Sequence, residues 1–230
     1  MMMDDELKFL EVSIPTADVR ASLEWYRALG FAELTTSDIR AYHYAVVSDG
    51  SLCIGLHGKG LEQAGLSFVR PELAKLVRQQ MEDGIEFAAA RLSSDDFHEA
   101  VRIDPVGNPA LLLEARTFSP LHEDVAQECL AGTLMHIALP CSNIEESLGF
   151  WEQFGFISVR TDTGEPAELH RPNLTVQPRV GTRELTLVYH IRDLAQTVAT
   201  LEQRGISARK TPIGCELHAP EGTRFLLTTY

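Results

Sequence analysis

The chain carries one pattern twice. Glu11-Val12-Ser13-Ile14-Pro15 reappears as His136-Ile137-Ala138-Leu139-Pro140, 125 positions later. The same offset carries Ser22-Leu23 onto Ser147-Leu148, Trp25-Tyr26 onto Phe150-Trp151, and Gly30-Phe31 onto Gly155-Phe156. A repeat held in register over this length means that one folding unit occurs twice, and duplicated units often build a site between them. Residues that differ between the copies are then the ones to inspect for function.

A second repeat lies inside the first. Leu66-Ser67-Phe68-Val69, Glu72-Leu73 and Gly84-Ile85 map at an offset of 121 onto Leu187-Val188-Tyr189-His190, Asp193-Leu194 and Gly205-Ile206. Asp104-Pro105-Val106-Gly107 maps at 115 onto Ala219-Pro220-Glu221-Gly222, so one loop has shortened by six residues. Four segments therefore share one plan of short strand, helix, then strands. Local signals agree with it. Leu7 to Ile14 alternates imperfectly, as a strand does, and Pro15 stops it. On this strand Glu11 is read on one face with Phe9 and Ser13, opposite Leu10, Val12 and Ile14. Asp18 and Asn143 stand at helix N-cap positions, with Gly30 and Gly155 as stops. Further strands are expected at Tyr42–Val47, Ser51–His57, Ala100–Ile103, Ala110–Ala115 and Arg224–Thr229. The stretch near Asn173–Pro178 has no secure placement.

Composition narrows the function classes. Twenty Lys and Arg stand against 33 Asp and Glu, a formal charge of −13, which supplies no basic footprint for a phosphate backbone. Four scattered cysteines, an acidic start and no long apolar run point to a cytoplasmic protein with neither nucleic acid nor membrane as partner. P-loop, nucleophile-elbow and HExxH spacings do not occur. The aromatic pairs Trp25-Tyr26 and Phe150-Trp151 sit at helical spacing and read as core.

With these motifs the chain resembles the vicinal oxygen chelate superfamily, which includes glyoxalase I, bleomycin and fosfomycin resistance proteins, and extradiol dioxygenases. The resemblance implies an α+β fold of four βαβββ modules forming two glyoxalase-like domains, their curved mixed sheets enclosing cavities. The domains are expected at 1–118 (modules 7–60 and 65–118) and 133–230 (modules 133–180 and 184–230), joined by a linker at 119–132. The sequence leaves the pairing of modules open: one with two and three with four, or one with four and two with three. It also leaves monomer and homodimer open. An unrelated ferredoxin-like duplication is the alternative, with fewer strands per unit.

The resemblance further implies a divalent metal (Zn, Ni, Mn or Fe) held by the opening strands and the ends of the closing strands. Carried over residue by residue, it selects Glu11, His57 and Glu114 as metal ligands, with Glu11 and Glu114 also as the catalytic acid–base residues. In the second half it selects His136, Thr186, Gln177 and Thr229 as cavity-lining residues, and His190 joins them by sharing the strand face of Thr186 and Val188. Gly65 and Thr186 stand where the family usually supplies a ligand. Two functions follow as expectations: a metal-dependent lyase, isomerase or epoxide-adding enzyme acting on a small oxygen-chelating substrate, or a metal-free small-molecule-binding protein of the drug-sequestering kind. Extradiol cleavage ranks lower, because no cavity clearly supplies two histidines and one carboxylate.

Overall fold

A computed structural model describes residues 7–35, 42–94, 97–115, 129–160 and 166–229. Residues 119–128, most of the expected linker, therefore lie outside the described residues.

The opening strand β1 (Lys8–Pro15) leads into α1 (Val19–Leu29). Asp18 starts the helix by accepting from the Ala21 amide at 3.0 Å, and Gly30 ends it at φ 102°, a left-handed conformation that disfavours any side chain. Three strands complete the module: β2 (Ala32–Leu34), β3 (Tyr44–Ser48) and β4 (Cys53–His57). The second module is β5 (Gly65–Arg70), α2 (Leu73–Glu82), β6 (Ala89–Arg91), β7 (Glu99–Ile103) and β8 (Pro109–Glu114). The third runs β9 (Thr133–Cys141), α3 (Ile144–Glu152), β10 (Ile157–Val159), β11 (Glu168–Arg171) and β12 (Leu174–Val180). The fourth runs β13 (Thr186–His190), α4 (Leu194–Gln203), β14 (Arg209–Thr211), β15 (Gly214–His218) and β16 (Arg224–Thr228).

Module one pairs with two and module three with four. The first sheet has the order β2-β3-β4-β1-β5-β8-β7-β6, and the second β10-β11-β12-β9-β13-β16-β15-β14. In each sheet the two opening strands lie antiparallel at the centre, and each is flanked by a parallel closing strand. Central opening strands and their flanking neighbours thus converge on one concave surface per sheet, which is what positions the sites below.

One detail of β1 differs from simple alternation. Phe9 pairs with Phe68 and Glu11 with Ser67, so Leu10 is an extra residue, a β-bulge. Phe9 therefore points with Phe68, their rings 5.9 Å apart, onto the face opposite Glu11. The bulge recurs in β9, where Val188 pairs with His136 and Tyr189 with Leu134. Duplication has kept the irregularity, and it aims Glu11 and His136 at corresponding places.

Aromatic side chains bury the join between the halves. Phe225 of β16 packs against Trp25, Tyr26 and Phe31 of the first half, with centroids at 5.5, 6.0 and 6.2 Å. In reciprocal fashion Phe68 of β5 packs against Phe154 and Phe156. Tyr26 and Trp151 are fully buried, so both helical aromatic pairs serve the core. Polar clasps accompany them. Glu221 accepts from Ser22 at 2.6 Å and from Tyr26 at 3.0 Å, and Asp49 accepts from Tyr189 at 2.6 Å. No described helix is long and apolar enough to cross a membrane.

Candidate functional site

Strand register pairs six positions of the first sheet with six of the second. Glu11, Ser13, Gly55, His57, Gly65 and Ser67 correspond to His136, Ala138, Gln177, Arg179, Thr186 and Val188. The two copies have become chemically opposite.

In the first half the Glu11 carboxylate is 1% exposed and accepts three hydrogen bonds. Ser13 donates to Oε1 at 2.8 Å, Tyr44 to Oε2 at 2.7 Å, and His57 Nε2 lies 2.9 Å from Oε1. With the Ser13 proton spent on Glu11, Ser67 is the donor in the 2.6 Å contact between the two serines. On its other side His57 Nδ1 lies 3.1 Å from the Tyr42 hydroxyl. Space for this comes from Gly55: a Cβ there would stand 2.1 Å from Glu11 Oε1. A buried carboxylate costs several kcal/mol unless its oxygens are satisfied, and these are. The arrangement is closed, with donors and acceptor directed at one another.

Glu114 takes no part in it. Ser67 pairs with Leu111 and Val69 with Leu113, so alternation puts Leu111 and Leu113 on the Glu11 face and Glu114 on the other. Its carboxylate is instead engaged by His98 Nδ1 on the neighbouring chain segment. The structure thus brings together Glu11 and His57, and not Glu114.

Among the described residues Glu11 is enclosed, while His57 borders a cavity of about 520 Å³ shared with Pro15, Asp18 and Glu221, and the matched face of the second sheet is open. A cavity of about 670 Å³ lies over the concave face of that second sheet. His136, Gln177 and Thr186 line it; His190 and Thr229 do not, and Thr228 lines it instead of Thr229, again a matter of strand parity. Its apolar wall includes Val159, Val188, Ile213 and Leu226. Arg179, absent from the sequence-based set, stands at the register position of His57. It is positioned by a relay: His170 Nε2 contacts Glu168 Oε2 at 2.8 Å, Gln177 Nε2 donates to Glu168 Oε1 at 2.5 Å, and Gln177 Oε1 accepts Arg179 Nε and Nη2 at 3.1 and 2.5 Å. A signal for this strand was present in Pro172-Asn173. That dipeptide forms the two-residue connection between Arg171 and Leu174, with Asn173 at φ 61°. Counting from it places Gln177 and Arg179 on one face.

His136 is buried, and its ring makes no hydrogen bond among the described residues. Burial chiefly, and then the Arg179 guanidinium, hold its pKa down at about 4 from the ordinary 6.5, against the opposing pull of Glu168. The imidazole is therefore neutral at physiological pH, with one N–H to donate. The thiols offer little nucleophilic chemistry: all four cysteines are free, and burial pushes Cys53 and Cys129 up to about 12.

A divalent cation needs several such donors converging on one point. Among the described residues no group of three or more His, Cys, Asp or Glu side chains does so. In the first half Glu11 and His57 are directed at each other, and Glu114 is held elsewhere. In the second, His136 has Val188 opposite it on β13 and Thr228 on the closing strand β16, so one imidazole stands without a second strong ligand. Among the described residues the donor set does not fit the expected metal.

Solved structures similar to this chain include extradiol dioxygenases. A catechol 2,3-dioxygenase is similar at a TM-score of 0.61 and 16% identity, over 97% of this chain and 88% of that one. A variant of homoprotocatechuate 2,3-dioxygenase from Brevibacterium fuscum, in complex with HPCA, gives 0.63 and 17% over 99% and 72%. The 2,3-dioxygenase LapB of Pseudomonas sp. KL28 gives 0.60 and 14% over 98% and 93%. No family profile matches the chain, and no curated protein matches it significantly. Likeness at these identities establishes the fold: the chain has the tandem βαβββ architecture of these dioxygenases, with two open mixed sheets and four helices among the described residues.

Proposed function

We propose that this protein binds a small molecule in the second-half cavity without a metal, the first half serving as a structural partner whose own polar site is sealed. The observation that carries the reading is the contrast at matched register positions. Glu11 and His57 satisfy each other, whereas His136 faces about 670 Å³ of open space with its ring unpartnered among the described residues. A volume of that size, mostly apolar walls and a few convergent polar groups are the usual makings of a ligand site. The reading favours the binding-module expectation over the metal-dependent lyase or isomerase, since Lewis-acid chemistry needs a donor set that these residues do not assemble.

The test is methyl NMR on chelator-treated protein with a library of small organic fragments, beside a Val188→Trp variant that fills the cavity. Binders are expected to shift the methyl signals of Ile213 and Leu226, and the variant to weaken those interactions at least tenfold. Fragment binding that maps elsewhere, or that the variant leaves intact, overturns the reading.

A further inference from the structure

We infer that the cavity's ligand is a carboxylate, and that its carboxyl group is held at the polar end of the cavity by the Arg179 guanidinium and the His136 ring. The inference rests on the proposed binding role of this cavity and names the class of ligand.

The first half supplies the template. There a carboxylate lies over Gly55 of the closing strand, met by His57 from the same strand, by Ser13 of the opening strand and by Tyr44 of β3. Gln177 stands in place of Gly55 in the second half, so a ligand's carboxyl group sits further out, toward Arg179. At the corresponding positions of the second half the chain carries no carboxylate. Glu11 is replaced by His136, whose neutral ring retains a donor, and His57 by Arg179, a permanent cation. Thr186 adds a hydroxyl where the first half has Gly65, its proton directed to the Glu184 carbonyl at 3.3 Å. An acid-and-base pair has become a cation beside a neutral imidazole, with no carboxylate at the matched positions.

The other charges of the cavity do not supply one. Glu168 is engaged by Gln177 and His170, and Arg224 is paired with Glu216, which also holds Arg209. Arg179 meets no carboxylate within ion-pair distance among the described residues; its described partner is the neutral Gln177 amide, which takes Nε and Nη2. That contact fixes the plane of the guanidinium and leaves Nη1 for a ligand. Fixing the fork in advance reduces the ordering cost of a charge-assisted hydrogen bond. Beyond the polar end, Val159, Val188, Ile213 and Leu226 present an aliphatic wall, so the acid carries an apolar body.

The experiment is a calorimetric and NMR titration of the full chain with matched pairs of probes, each an apolar acid, its primary amide and its amine: 4-phenylbutanoate, octanoate and cyclohexylacetate with their counterparts. The acids are expected to bind about ten- to a hundredfold tighter than their amides, the range of a charge-assisted hydrogen bond. Arg179→Gln is expected to abolish that preference while leaving amide binding in place, which also shows that the variant is folded. Equal binding of acid and amide, or a preference that survives Arg179→Gln, overturns the carboxylate assignment but leaves the cavity as a binding site. Preference for the amines overturns it in favour of recognition by Glu168. If no probe of any charge perturbs the cavity, the binding role itself fails, and the carboxylate assignment with it.

Discussion

Glu11→Ala is expected to destabilise the protein by about 3–5 kcal/mol in urea unfolding, the cost of removing one side of a buried hydrogen-bonded network. Ser13, Tyr44 and His57 all direct donors at this carboxylate, and all three would be left facing a void inside the first sheet. Buried donors without acceptors lose their full desolvation energy, which exceeds what the intact hydrogen bonds contribute on balance. Ligand binding in the second-half cavity should be unchanged in this variant at temperatures where it remains folded. That separation distinguishes a sealed structural network from a catalytic one. A variant with near-normal stability would mean that the network is more solvated, and more available for chemistry, than its 1% exposure implies.

Gly55→Ala tests the same network from its other side, and the sign of its effect should reverse with context. The new Cβ would stand 2.1 Å from Glu11 Oε1 and 2.3 Å from its carboxyl carbon. The end of a free side chain moves aside cheaply, but this one is tied by three hydrogen bonds with no solvent beside it. The expected cost is about 2–4 kcal/mol, in the range set by disrupting a buried hydrogen-bonded network. In a Glu11→Ala background the clash is gone. Alanine then replaces a mid-strand glycine without hindrance, and the substitution should be neutral or stabilising by about 0.5–1 kcal/mol. A double-mutant cycle of the four proteins by denaturant unfolding checks this, and additive effects would contradict the packing described.

Much of the fold was legible because duplication wrote it twice. Asp18 and Asn143 cap their helices, Gly30 ends α1 in a left-handed conformation, and the closing strand Cys53–His57 lies within its expected range. The three-residue edge strands β2, β6, β10 and β14 were not readable, since so short a segment cannot display alternation. The site was harder for the same physical reason throughout: a strand has a period of two, so an error of one residue exchanges the faces. The bulge at Leu10 moved Phe9 to the face opposite Glu11. One position of parity separates Glu114 from Leu113, and Thr229 from Thr228. Resemblance to metal-binding relatives selected residue types at strand ends, but only hydrogen-bonded register assigns them to a face. Arg179 was missed because its strand could not be placed, and it became recognisable as the counterpart of His57 once β12 was paired to β9.

The most direct test of the account is a calorimetric titration of chelator-stripped protein with Zn²⁺, Ni²⁺, Mn²⁺ and anaerobic Fe²⁺, beside Glu11→Ala and His136→Ala variants. The account predicts no stoichiometric site tighter than micromolar for any of the four ions, and the same result for all three proteins. One equivalent of an ion bound below micromolar, and lost in either variant, would contradict it and restore a metal centre to that half of the molecule.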